Sequence, residues 1–252
     1  MGAAPGNSGL PAALLDQSEE PAGETPLVWR QDASVYHRVF GPVERGELEL
    51  VAAGATRVVC FQIGQVTLSA RRPATYEDIL ALPENVVGEI VDGELHVSPR
   101  PASPHALAAS GIGTDVFSAF HRGRGGPGGW VILFEPELHI GGQVTVPDLA
   151  GWRRERMPEI PDVPFFELAP DWICEVISPS TGRLDRVKKM PHYARWGVGH
   201  IWLVDPLQRT LEVFRLNGGG NWELLSTHSE DDKVRAVPFD AIELDLALLW
   251  AR

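Results

Sequence analysis

Three acidic residues stand where a carboxylate needs a reason. Glu175 lies in DWICEVISPS (171–180), flanked by Trp172, Ile173, Cys174, Val176 and Ile177. So apolar a run reads as a strand buried on both faces, where an ionised carboxylate is costly unless a cation pairs with it. Asp148 falls in VPDLAGW, toward the end of one strand, and Glu175 occupies the next regular strand along the chain. Neighbouring strands bring two such side chains to one edge of a sheet. Paired acids of this kind hold a hard cation such as Mg²⁺, which polarises a phosphoryl oxygen and activates a water. Glu89, in GEIVDGELHV, offers a third acid. Lys188 and Lys189 lie one helix beyond Glu175, and an ammonium there stabilises the charge that builds on a phosphate during hydrolysis.

The elements that position these residues follow from the pattern. TYED makes Thr75 the N-cap of a short helix through Leu82, with Asp78 three residues on. Asp92 and Gly93 form the turn of a hairpin between two alternating strands. Ser103 as cap and Pro104 at the first helical position open an amphipathic helix with Ile112, Val116 and Phe120 on one face, closed by the turn RGRGGPGG. Two strands follow, WVILFEPELHI and QVTVPDLAGW, and then the Glu175 strand. A helix over 184–196 leads to HIWLVD (200–205), giving a βαβ unit with parallel strands. TLEVFRL, NGGGN and WELLSTH make a final antiparallel hairpin. The class is α/β or α+β, a mixed sheet with helices on its faces.

Composition sets the limits. At 252 residues and 44% apolar content the chain can bury a full core. No stretch nears the roughly 20 apolar residues of a membrane span, and the N-terminus has neither a basic leader nor a sustained apolar run. The expectation is a cytoplasmic protein. Residues 1–70, rich in Gly, Ala, Pro and Glu with one strand-like stretch over 56–68, read as a poorly ordered or partly β extension with one hairpin, and 71–252 as the folded domain. Cys60 and Cys174, without CxxC or Cys/His spacing, read as buried free thiols. A net charge of −12 works against a generic phosphate-binding surface, so any nucleic-acid role must rest on a local patch.

Taken in order, TYEDILALPE, GEIVDGELHVSP, VPDLAGW, EVISPST and RVKKMPHYARWGVGHIWLVDP resemble the Uma-two family of restriction-endonuclease-domain proteins, a branch of the PD-(D/E)XK nuclease superfamily. The resemblance covers about 72–250. It implies a restriction-endonuclease-like core, with acids from two adjacent strands binding a divalent metal, Mg²⁺ or Mn²⁺. Asp148 matches the motif aspartate, Glu175 the second-strand acid and Glu89 the acid of the first hairpin. The superfamily pattern puts a lysine two residues after the second acid, where this chain has Ile177. In this family the lysine moves to the following helix, in a segment that Lys189 matches, four residues before Tyr193. On a regular helix packed through Val187, Met190 and Ala194, positions 186, 189 and 193 form a stripe toward Glu175, and Lys188 is rotated to solvent.

Each residue has a plainer role open to it. Glu175 can pair with Arg183 or Arg186, Asp148 can be a turn residue after Pro147, and Glu89 can face solvent beside its hairpin. The basic run can be a solvated helix face, His105 a surface histidine, and Tyr193 and Trp196 core. Two functions therefore stand: a metal-dependent endonuclease hydrolysing DNA phosphodiester bonds through Asp148, Glu175, Glu89 and Lys189, or a catalytically inactive nuclease-fold scaffold that binds a partner. Whether the chain forms a homodimer is open.

Overall fold

The computed structural model describes residues 37–39, 45–52, 55–62, 65–70, 72–179 and 181–250. The chain divides into two compact units, Met1–Arg71 and Arg72–Arg252. In the first, strands β1 (His37–Val39), β2 (Arg45–Ala52), β3 (Ala55–Gln62) and β4 (Gln65–Ala70) form an antiparallel sheet in sequential order. The single strand-like stretch expected over 56–68 is instead divided between β3 and β4. The poor order expected for the rest of 1–70 falls outside the described residues, and the Cys60 side chain is not described.

The second unit opens with α1 (Tyr76–Leu80), capped at Thr75, whose N–H donates to the Asp78 carboxylate at 2.8 Å. Strands β5 (Val86–Val91) and β6 (Glu94–Pro99) pair antiparallel about Asp92 and Gly93. Both turn residues have positive φ, 55° and 75°, as a two-residue hairpin requires. Helix α2 (Ser103–Val116) continues through a π turn, Phe117–His121, and buries Ala108, Ile112, Val116 and Phe120.

The two strand runs that follow are each divided. The first supplies β7 (Trp130–Phe134) and β8 (Leu138–Ile140), and the second β9 (Gln143–Thr145) and β10 (Leu149–Arg153). The breaks have local causes. Glu135 adopts φ 45°, and Pro147 has no N–H to give a ladder. Then come β11 (Trp172–Val176), a π turn (Leu184–Lys189) running into α3 (Met190–Arg195), and β12 (His200–Asp205). Strands β13 (Thr210–Leu216) and β14 (Trp222–Ser229) form the final hairpin, and β15 (Lys233–Val234) pairs with β16 (Leu244–Asp245).

The principal sheet has the order β14-β13-β12-β11-β10-β7, with β11 and β12 parallel and its other pairs antiparallel. A smaller sheet has the order β6-β5-β9-β8. Because each run serves both sheets, the chain crosses between them twice, at 135–137 and 146–148. Two apolar cores lie on the faces of the principal sheet. Trp172, Cys174 and Val176 join the α2 core with Trp202 and Phe239, while Ile173 and Ile177 join the core of Met190, Tyr193 and Val198. Strand alternation therefore turns Glu175 to the α3 face. Cys174 is a free buried thiol, as expected, and burial pushes its pKa well up.

Candidate active site

All five residues of β11 are buried, so Glu175 must find its cation inside. It finds Lys189, whose Nζ lies 2.8 Å from Glu175 Oε1, 3.0 Å from Glu89 Oε1 and 3.2 Å from Asp185 Oδ1. None of these four side chains is more than 7% exposed. The Tyr193 hydroxyl donates to the same Glu175 oxygen at 2.6 Å. Glu89 is fixed in turn, the same Oε1 accepting at 2.8 Å from the Val146 N–H, which has left its strand ladder at the break before Pro147.

One ammonium thus serves three carboxylates. Burial pushes the Glu175 carboxyl well above its ordinary range, Lys189 pulling it down less than burial and the neighbouring acids push it up. Burial likewise raises the Asp185 carboxyl. Burial alone would lower Lys189, but Glu175, Glu89, Tyr193 and Asp185 together outweigh it and hold the ammonium well above the usual lysine value.

Asp148 comes from the neighbouring strand. The β10–β11 register pairs Leu149 with Cys174, which sets Asp148 across from Glu175 at the strand end. Its Oδ2 accepts from the Val176 N–H at 2.7 Å and its Oδ1 lies 3.2 Å from His105 Nε2. Burial disfavours a charge on His105, but the hydrogen bond and charge of Asp148 more than offset this and raise its pKa. His105 Nδ1 is buried without a hydrogen-bond partner among the described residues. Glu89, Asp148, Glu175, Asp185, Lys189 and His105 all line one pocket of about 270 Å³, with Arg100 at its rim. The Arg100 side chain is 60% exposed.

The structure brings all four sequence candidates, Glu89, Asp148, Glu175 and Lys189, to this pocket. Glu89 is 5% exposed and does not face solvent. Glu175 pairs with neither arginine considered from sequence, and Arg186 instead meets Glu212. Lys188 faces outward, as expected, and pairs with Glu94 at 2.7 Å. Val187 was expected to pack on the sheet and is 61% exposed. The π turn accounts for that correction, because its wider backbone shifts the register so that Asp185 and Lys189 face inward. Asp185 was missed. Its only sequence signal is an acid four residues before a lysine, the common pattern of a surface pair. Tyr193 is buried as core, but its hydroxyl serves Glu175, and His105 is not a surface residue.

A divalent cation suits this donor set. The oxygens are hard, and four carboxylates line a pocket that holds one lysine ammonium. Among the described residues no three His, Cys, Asp or Glu side chains are gathered in metal-ligand geometry. Mg²⁺, however, is commonly held by one or two carboxylates with waters and substrate phosphates completing the shell, and Asp148 and Glu175 are the pair from adjacent strands that could hold it.

A mixed sheet flanked by helices, with acids of adjacent strands and a helix-borne lysine in one pocket, defines a restriction-endonuclease-like nuclease fold. The chain belongs to the Uma2 family, whose model, described as "Putative restriction endonuclease", matches residues 74–248. Its fold is similar to a solved structure from Anabaena variabilis, titled a "putative nuclease belonging to DUF820", with a TM-score of 0.58 and 26% identity over 71% of this chain and 98% of that one. No curated protein matches the chain. Among the described residues no helix is long and apolar enough to cross a membrane.

Proposed function

We propose that this protein is a metal-dependent endonuclease that hydrolyses DNA phosphodiester bonds, with Asp148 and Glu175 as the residues that hold Mg²⁺ or Mn²⁺. One observation carries the reading: two acids from adjacent strands line the same pocket as a buried lysine 2.8 Å from one of them. A bound divalent ion supplies Lewis acidity toward the phosphoryl oxygen and lowers the pKa of a water. The chain's own residues do the rest. Lys189, itself buried, brings a positive charge into the pocket, where it stabilises negative charge developing on the phosphate. Tyr193 fixes the Glu175 carboxylate, His105 and the Val176 N–H fix Asp148, and the Val146 N–H fixes Glu89. Arg100, 60% exposed in the pocket lining and 3.8 Å from Glu135, offers a guanidinium to a flanking phosphate.

The test is nicking of supercoiled DNA with Mg²⁺ or Mn²⁺, with and without chelator. Cleavage that chelator, Asp148→Asn and Glu175→Gln each abolish supports the reading. The scaffold alternative draws on the acidic balance and on Ile177 at the strand position of the lysine. It expects no cleavage with any divalent metal, so the same assay decides between them.

A further inference from the structure

We propose that Lys189 is a displaceable cation that occupies Glu175 until a divalent ion arrives, and that Asp185 is the positioning residue that keeps the ammonium in the pocket once Glu175 is given up. The inference rests on the metal reading above and adds how the site is switched. In the structure Lys189 Nζ is closest to Glu175, one of the two acids offered to the metal. A divalent ion beside Asp148 and Glu175 sets two like-charged groups in competition for one buried carboxylate. The ammonium need not leave the pocket, because four carboxylates line it. It needs another seat.

Two seats exist, and they differ. Glu89 belongs to the smaller sheet and is already held by the Val146 N–H. Asp185 stands four residues before Lys189 in the same π turn, is 3% exposed, and lies 3.2 Å from Nζ. It moves with the lysine and makes no demand on the sheet. Asp185 thus retains the lysine charge near the reacting phosphate while Glu175 turns to the ion. Metal affinity and ammonium position are then linked, and linkage of this kind is reciprocal, typically worth about 5- to 150-fold.

The test is Mn²⁺ binding, read by the spin-resonance signal of the free ion, in the parent, Lys189→Gln, Asp185→Asn and the double variant, with Asp148→Asn as the control for the site. Lys189→Gln is expected to bind Mn²⁺ about tenfold more tightly, because Glu175 no longer has a resident cation. Asp185→Asn is expected to weaken binding in the parent, where Lys189 then holds Glu175 harder, and to weaken it much less once Lys189 is gone. Equal weakening in both backgrounds makes Asp185 a direct partner of the ion and overturns the proposal. So does Lys189→Gln binding no tighter than the parent. If Lys189→Gln fails to fold, Lys189→Met, which fills similar volume, replaces it. In the unaltered protein the Lys189 side-chain amine resonance is expected to shift on Mg²⁺ addition, and a resonance that stays put also overturns the proposal. Binding that depends on Asp148 but shows no coupling removes this inference alone, whereas binding indifferent to Asp148→Asn removes the metal reading with it.

Discussion

Two adjacent lysines give the sharpest comparison the structure allows. Lys189 is 3% exposed and touches three buried carboxylates, whereas Lys188 is 34% exposed and pairs with the half-exposed Glu94. Replacing Lys188 by alanine removes a surface pair worth roughly 0.2–1 kcal/mol. Replacing Lys189 leaves Glu89, Glu175 and Asp185 facing one another without a cation, and stranding buried charge costs about 3–5 kcal/mol. For a unit of this size each kcal/mol moves the melting temperature by roughly 2–4 °C, so Lys189→Ala is expected to melt about 6–20 °C lower and Lys188→Ala within about 4 °C of the parent. Turnover separates them further. Removing a charge that acts on the transition state lowers kcat by a factor of roughly 100–1,000. Nicking of supercoiled DNA with Mg²⁺, run well below both melting temperatures, is therefore expected to be almost lost in Lys189→Ala and little changed in Lys188→Ala. Equal cleavage by both variants, with equal melting temperatures, refutes the assignment and leaves Lys189 an ordinary charge.

Other outcomes follow from single contacts. Tyr193→Phe removes a hydrogen bond to a buried carboxylate and is expected to cost about 1.5–3 kcal/mol in chemical denaturation; a loss below about 0.5 kcal/mol contradicts the 2.6 Å contact. Calorimetry with Mn²⁺ is expected to show binding that Asp148→Asn abolishes, and unchanged binding in that variant places the ion elsewhere. Under chelation, the raised Glu175 pKa means the folded protein holds a proton that the unfolded chain has released. That contribution to stability is full below the ordinary carboxylate range and is lost as pH rises through the raised folded value, so the metal-free protein is expected to gain stability as pH falls from above that raised value toward the ordinary carboxylate range. Thermal unfolding across that range checks the sign.

Much of this was legible in sequence, for identifiable reasons. The Asp92-Gly93 hairpin, the βαβ unit around Glu175 and the buried face of Ile112, Val116 and Phe120 rest on turn chemistry and simple periodicity, and these hold where the backbone is regular. Legibility fails where it is not. WVILFEPELHI and QVTVPDLAGW look like two strands because apolar residues continue across the breaks, but each serves two sheets, and the second break frees the Val146 N–H for Glu89 and sets Asp148 at the strand edge, where it takes the Val176 N–H. The 184–196 helix invites a regular wheel, which turns Val187 inward and leaves Asp185 as a surface partner, because periodicity carries no mark of a π turn. Both failures fall on residues of the pocket. A buried carboxylate must be met by donors that regular ladders and helical turns have already spent, so the donors come from backbone released at a sheet crossing and from a helix turn of altered register. The same irregularity that hides Asp185 from a pattern search aims Lys189 at Glu175, and local rules breaking together at one place is itself a pointer to the site.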